Sequence, residues 1–246
     1  MDAALANLIA ANVAFVGSHF AMSHPLRGAM LRALGNIGFQ MVYSLVSIAT
    51  LAWVYFAFTA APPADLPGSG TVGWVVATLL SVPAMVLLAG SVFGNPALPT
   101  PQADAQARAQ PTGVFRVTRH PMMWSFALWA LSHIVLWWSW RTTLTAAAMA
   151  VLALAGAKLQ DKKKERLMGA AWEQWESRTS YWPRWGRLPG AGWLPWALGL
   201  GFFAGFSWLH LPLGGIEAGI WRWLKGRSGL RVRLAAQRPC FANQSR

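Results

Sequence analysis

Long apolar runs without charged side chains restrict what this chain can fold into more than any other feature. No Asp, Glu, Lys or Arg occurs between Asp2 and Arg27, between Arg32 and Asp65, or between Asp65 and Asp104. A helix needs about 20 apolar residues to cross the hydrocarbon core of a bilayer. The composition agrees, because 55% of the 246 residues are hydrophobic and only 12% are charged, about half the charged share of an ordinary soluble domain.

This pattern predicts an all-α fold, a polytopic transmembrane helix bundle with about six helices. The expected spans are 3–22, 37–60, 71–93, Pro121 to Trp140, about 142–157, and a last one between Arg187 and Glu217. After the fifth span, KLQDKKKERLMGAAWEQWESRTSYW carries apolar residues at helical spacing opposite charged ones, which predicts an amphipathic helix along the cytoplasmic interface. We therefore expect a transmembrane domain over residues 1–217 and a basic C-terminal tail over residues 218–246.

The positions of Lys and Arg in short loops predict the orientation. Basic residues cluster in the loops after spans one, three and five, whereas the two loops between them carry only Asp65 and Arg141. The clustered loops are therefore expected in the cytoplasm, with the N-terminus outside. No Lys or Arg precedes the first run, which indicates a retained span rather than a cleaved signal peptide. The net charge of +13 is spread over these loops, so the expected partners are the bilayer and its anionic headgroups, and not nucleic acid.

Three of the five histidines are the main candidates for function. His19 lies near the cytoplasmic end of span one, and His120 directly precedes Pro121 at the same face of the membrane. His133 lies about 20 Å deeper along the fourth helix, at 1.5 Å per residue. Ionisable side chains inside a membrane are functional candidates by default, and haem iron accepts imidazole as an axial ligand. Two imidazoles from spans one and four would hold one iron if those helices are neighbours.

Three stretches together resemble the NnrU family of membrane proteins, which also contains the plant and cyanobacterial 15-cis-zeta-carotene isomerases. The resemblance covers roughly residues 10–212, and its most specific part is R-x-T-R-H-P followed by F-A-L-W-A-L-x-H. It implies about six transmembrane helices. In the isomerase branch it also implies a b-type haem held by histidines, whose reduced iron promotes cis–trans isomerisation of a hydrophobic polyene. Bacterial members are linked to denitrification and nitrogen-oxide metabolism, so the resemblance also implies a place in the bacterial cytoplasmic (inner) membrane. The stretches are VGSHFAMSHPLRGAMLRALGNIGFQMVYSLVSIATLAWVYF, GVFRVTRHPMMWSFALWALSHIVLWWSW and AKLQDKKKERLMGAAWEQWESRTSYWP.

The resemblance implies His19 and His120 as ligands of a b-type haem, with His133 as an alternative to either. Arginine pairs with carboxylates through two parallel hydrogen bonds, so arginines at the same cytoplasmic face are suited to clamp the two haem propionates. The alternative is that these arginines only set the topology of the helices. The candidate clamps are Arg27, Arg116 and Arg119.

Two further hypotheses remain open at the level of sequence. R-H-P-x-x-W at the start of a helix, followed by E-R-L, also resembles the membrane isoprenylcysteine and phospholipid methyltransferases. In that reading Arg119, His120 and Glu165 would help to hold S-adenosylmethionine, and a hydrophobic small molecule would be the substrate. The remaining hypothesis is a non-enzymatic membrane factor that assists the assembly of other proteins, so enzymatic activity is not settled by the sequence.

Overall fold

The computed structural model describes residues 2–63 and 68–224. Residues 219–224 are helical at the edge of the described part, and the other helices have the bounds that follow. Asp65 and the predicted basic tail from Lys225 onward lie outside the described residues. Two 3-10 helices lie at Gly113–Arg116 and Trp185–Ala191. The α-helices are α1 Ala3–Ser23, α2 Arg27–Ala60, α3 Gly70–Gly90, α4 Ala103–Arg108, α5 Pro121–Leu136, α6 Trp140–Met168, α7 Ala170–Arg178 and α8 Trp193–Gly214.

Five helices of the described part are long and apolar enough to cross a membrane: α1, α2, α3, α6 and α8. The predicted all-α membrane fold is therefore confirmed. The fourth predicted span is shorter than expected, because α5 ends at Leu136 after 16 residues, or about 24 Å at 1.5 Å per residue. Pro121 lies in its first turn, where the missing N–H costs no hydrogen bond. The fifth span is longer than expected, since α6 continues for 29 residues from Trp140 to Met168.

Helix α6 packs against both α1 and α5, while α2 packs on α1 and α3 packs on α5. Helices α1 and α6 run in the same direction. Asn12 Nδ2 of α1 lies 3.4 Å from Thr145 Oγ1 of α6, and further along both helices Phe20 lies against Gly156. Between these contacts, Met149 and Leu152 of α6 pack against the buried cluster to which Phe15 of α1 belongs. The ends of α1, α6 and the start of α5 consequently meet at one face of the bundle.

The predicted amphipathic segment forms the end of α6 and all of α7. Gly169 separates the two helices with a φ of 51°, a left-handed conformation that glycine adopts without steric cost. The apolar face of α7 is buried, and Trp172 and Trp175 are 0% and 2% exposed. That face packs on α4, and the ring of Trp175 lies 5.5 Å from that of Phe115. The tryptophans of this helix therefore belong to a protein core.

The chain divides after Gly199 into two compact units. Within the first unit, Gly199 lets the start of α8 approach the backbone of Val86, because an added Cβ would lie 2.6 Å from Val86 Cα. Within the second unit, Trp221 Nε1 donates a hydrogen bond of 2.9 Å to the carbonyl of Ala204. Apart from His210 and its partner Phe206, the site residues described below belong to the first unit.

Candidate functional site

The segment that leads into α5 is held by the segment that follows α7. The backbone N–H of Arg119 donates to the carbonyl of Ser180 at 2.8 Å. The hydroxyl of Thr118 and the indole Nε1 of Trp124 both donate to the carbonyl of Tyr181, each at 2.8 Å. These bonds bury Thr118 and Arg119, which are 0% and 9% exposed.

Arg119 and His120 meet two acidic side chains from other helices and form a buried charge cluster with them. Arg119 donates Nη2 to Asp161 Oδ2 at 2.7 Å and Nε to Asp161 Oδ1 at 3.0 Å. His120 Nε2 lies 2.7 Å from Asp161 Oδ1, and Arg119 Nη2 lies 2.9 Å from Glu176 Oε1. Asp161 is 1% exposed. Since an isolated buried charge is very costly, this pairing is what allows a carboxylate at that position.

Glu176 is the member of the buried charge cluster with the most contact with solvent, and its side chain is 25% exposed. Burial raises the pKa of Glu176; the charge of Arg119 opposes this, while the charges of Asp161 and Glu165 add to it. The net result is a pKa above that of an ordinary glutamate. Glu176 therefore takes up a proton at a higher pH than an exposed glutamate does.

Tyr181 lies against the buried charge cluster and is approached by two cations. Arg119 Cζ lies 5.8 Å and Lys158 Nζ 5.7 Å from the centroid of its ring. The ring of His120 lies 5.8 Å away in an edge-to-face arrangement, and the Tyr181 hydroxyl donates to the carbonyl of Leu154 at 2.8 Å. Burial, followed by the charge of Asp161, raises the pKa of Tyr181. The phenol is therefore a stable donor to α6.

His120 has one ring nitrogen engaged and one without a partner. In the neutral ring that donates Nε2–H to Asp161, the lone pair remains on Nδ1. Nδ1 is buried and has no hydrogen-bond partner among the described residues. An iron bound to His120 would have to use Nδ1 or displace Asp161 from Nε2.

His19 is arranged differently, with its Nδ1 towards a backbone carbonyl. Nδ1 lies 2.7 Å from the carbonyl of Phe15, so this nitrogen carries the proton. Nε2 lies 3.3 Å from the hydroxyl of Ser47, and that hydroxyl donates to the carbonyl of Tyr43 at 2.7 Å. The Ser47 proton is thus already used, and in the neutral ring the lone pair of Nε2 is left for another partner. A histidine that ligates a metal commonly donates its other N–H in this way.

His133 and His210 repeat part of this arrangement. His133 Nδ1 lies 2.8 Å from the carbonyl of Trp129, and the rings of the two residues are 4.3 Å apart. His210 Nδ1 lies 2.8 Å from the carbonyl of Phe206. The rings of both therefore have a defined orientation on their helices.

The structure brings Arg119 and His120 into one cluster and gives the other predicted haem residues different neighbours. The contacts of His19 lie on α1 and α2, and α6 packs between α1 and α5. Arg27 Cζ lies 5.7 Å from the ring of Phe39. Arg116 is exposed. Arg119 is already committed to two carboxylates, so it is not available to a haem propionate without losing them.

Glu165, the acid of the methyltransferase hypothesis, is exposed on α6. The acids that pair with Arg119 and His120 are Asp161 and Glu176. The structure therefore does not bring together the three residues on which that hypothesis depends.

Sequence reasoning missed Asp161 and Glu176. A signal was present for Asp161, which is the first acidic residue after the fifth apolar run and lies at the membrane boundary beside lysines. A carboxylate at that depth requires a cation, and arginine and histidine were already predicted at the same face. Nothing in the sequence distinguishes Glu176 from the other acids of an amphipathic helix.

In residues 2–63 and 68–224, no three His, Cys, Asp or Glu side chains form a group suited to a metal ion. The fold and the site define a polytopic helical membrane protein with an Arg–His–carboxylate cluster buried where α5, α6 and α7 meet. A family model described as NnrU protein matches residues 7–218, and the chain therefore belongs to the NnrU family. No match was found among curated proteins or among solved structures.

Proposed function

We propose that this protein binds b-type haem through His19 and acts in nitrogen-oxide metabolism. The observation that carries the proposal is the ring of His19, which donates Nδ1–H to the carbonyl of Phe15 at 2.7 Å. Its Nε2 faces a serine hydroxyl whose proton is used elsewhere. This is the arrangement of an axial imidazole with a fixed orientation. Membership of the NnrU family supports the link to nitrogen oxides.

The residues around His19 have separate tasks in this proposal. The carbonyl of Phe15 fixes the tautomer of His19. The ring centroids of Phe15 and Tyr43 lie 4.4 and 5.4 Å from the centroid of the imidazole, so the two rings hold the imidazole in place and keep water from it. His19 itself is half-buried, so its Nε2 is accessible to a planar ligand within the membrane. When bound, haem would supply an iron that can take a small ligand such as a nitrogen oxide.

A second histidine ligand to the same iron is not part of this proposal. His120 has its Nε2 committed to Asp161. His133 lies 13 residues beyond His120 along α5, or about 20 Å, whereas His19 lies near the end of α1 at the face where α5 begins. Haem binding therefore depends on His19, and the buried charge cluster serves as support for the helices.

The visible spectrum of the detergent-purified protein from haem-replete cells tests the proposal. The wild type should show a Soret band that shifts when nitric oxide is added to the reduced protein. His19→Ala should lose haem, while His24→Ala, at the end of the same helix, should retain it. His120→Ala and His133→Ala should leave the haem spectrum unchanged.

Three outcomes would contradict the proposal. Retention of haem with an unchanged spectrum in His19→Ala would exclude this histidine as a ligand. A haem-free wild type would favour the non-enzymatic membrane factor. A haem that does not respond to nitric oxide would separate haem binding from nitrogen-oxide metabolism. Circular dichroism of each variant distinguishes loss of haem from loss of the fold.

A further inference from the structure

A second group of charged residues lies where α1 ends, α2 begins and α6 emerges from its apolar run. Arg27 belongs to the first turn of α2, and Lys163 and Arg166 belong to the last part of α6. His24 lies between α1 and α2. The parallel packing of α1 on α6, with Phe20 against Gly156, directs the end of α1 towards this part of α6. We call these four residues the cationic cluster.

Helix geometry separates the cationic cluster from the buried charge cluster. At 100° per residue, Lys163 lies about 200° around α6 from Asp161, whereas Lys163 and Arg166 are three residues apart and share a face. Asp161 and Glu165 are four residues apart and share the opposite face. The acids of α6 thus point towards α5 and α7, and these two cations point towards α1 and α2.

The electrostatics of the neighbouring groups agree with this placement. Burial, followed by the charges of Lys163 and Arg166, lowers the pKa of His24. The charge of Arg27 also acts on Lys163. Three positive charges therefore lie near one another with a histidine between the helices.

The cationic cluster has no counter-charge of its own. Within the described residues, no member of the cationic cluster takes part in an observed ion pair. Lys163 and Arg27 are half-buried, which makes their mutual repulsion stronger than it would be in water. An anion at this position would relieve that repulsion.

The depth of the cationic cluster identifies the kind of anion. Lys163 lies 23 residues after Trp140 along α6, or about 35 Å, and the hydrocarbon core is about 30 Å thick. The cluster is therefore at the level of lipid headgroups. Leu26 and Leu167, which adjoin two of its cations in sequence, are 49% and 60% exposed, so apolar surface lies next to positive charge. An amphiphile with a negative head matches both features.

We propose that the cationic cluster binds the phosphate of an anionic phospholipid headgroup, with the acyl chains along the exposed apolar surface beside it. The general attraction of basic loops to anionic membranes needs no fixed geometry, whereas this site holds one lipid between three helices. It is independent of haem binding.

Native mass spectrometry of the full-length protein in mixed micelles tests the proposal, with phosphatidylglycerol and phosphatidylcholine as probes. The wild type should retain phosphatidylglycerol in preference to phosphatidylcholine. Lys163→Gln combined with Arg166→Gln should lower this retention at least tenfold. Arg184→Gln combined with Arg187→Gln removes two exposed positive charges elsewhere and should behave as the wild type. Arg27→Gln provides an independent variant on another helix and should also lower retention.

Inorganic phosphate and haem content separate the lipid from other anions. Phosphate at millimolar concentration should not displace the lipid, because it lacks the acyl chains; displacement would assign the site to a free anion and overturn the proposal. Equal lipid retention by the Lys163/Arg166 variant and its control would also overturn it. Loss of haem with unchanged lipid from that variant would assign the cationic cluster to the haem propionates instead.

Discussion

Replacing Asp161 by Asn should remove much of the stability that the buried charge cluster confers. The substitution preserves shape, so it leaves no cavity, but it removes the negative charge that faces both Arg119 and His120. Breaking a buried ion pair by removing one partner costs about 3–5 kcal/mol. Glu176 remains 2.9 Å from Arg119 Nη2 and still compensates part of the arginine charge. We therefore expect a loss of unfolding free energy near the lower end of this range, about 3 kcal/mol.

The same substitution at an exposed ion pair provides the control. Asp104 pairs with Arg108 at 2.9 Å, and the two side chains are 58% and 50% exposed. Pairs of this kind contribute about 0.3–0.5 kcal/mol, so Asp104→Asn should have little effect. Unfolding in mixed micelles, followed by circular dichroism as the SDS fraction rises, gives both free energies on one scale.

The result that would refute this reasoning is a loss for Asp161→Asn no larger than that for Asp104→Asn. A second comparison separates charge from packing. If the uncompensated charge of Arg119 is the cause, the triple substitution Arg119→Met, Asp161→Leu, Glu176→Gln should be less destabilising than Asp161→Asn alone, since it removes the cation together with both carboxylates that face it. A triple variant that is less stable than Asp161→Asn would contradict the electrostatic explanation.

Two other perturbations are expected to have effects of known sign. The pKa of Glu176 is raised above 4.5 in the folded protein, so the folded state holds this proton more tightly and the wild type loses stability as pH rises through the raised pKa. The glutamine of Glu176→Gln has no proton to lose. Thermal unfolding should therefore show that the stability of this variant relative to the wild type increases from below pH 4.5 to about pH 7. A difference in stability that does not change with pH would contradict the raised pKa. Gly199→Ala should destabilise the protein by about 1–3 kcal/mol, because its Cβ would lie 2.7 Å from the backbone N of Val86, and unfolding in mixed micelles measures this. Gly201→Ala, where no atom lies within 4 Å of the added Cβ, should not destabilise it, and equal losses for the two would refute the close approach.

The class of fold could be predicted from the sequence because a bilayer leaves the backbone few choices. Without water, every backbone N–H and C=O must be satisfied within the segment, so a charge-free run of sufficient length becomes a helix. The start of α5 could be predicted too, since Pro121 favours a first helical turn. The ends of the helices were harder to predict from the sequence. Helix α6 continues well past its apolar part because residues 158–168 are good helix formers, and it ends before Gly169.

Only the tertiary structure decided what Arg119 and His120 do. The sequence identified them as exceptional, and from chemistry alone a haem propionate and a haem iron were reasonable partners. Their observed partner, Asp161, lies 42 residues from Arg119 in the chain, and it reaches them because α6 packs directly against α5. Spacing along the chain does not reveal which helices are neighbours or which face of α6 each neighbour meets. Because the energy of a charge depends on how deeply it is buried and on what lies within about 4 Å, the choice between a cofactor clamp and an internal ion pair was made by packing.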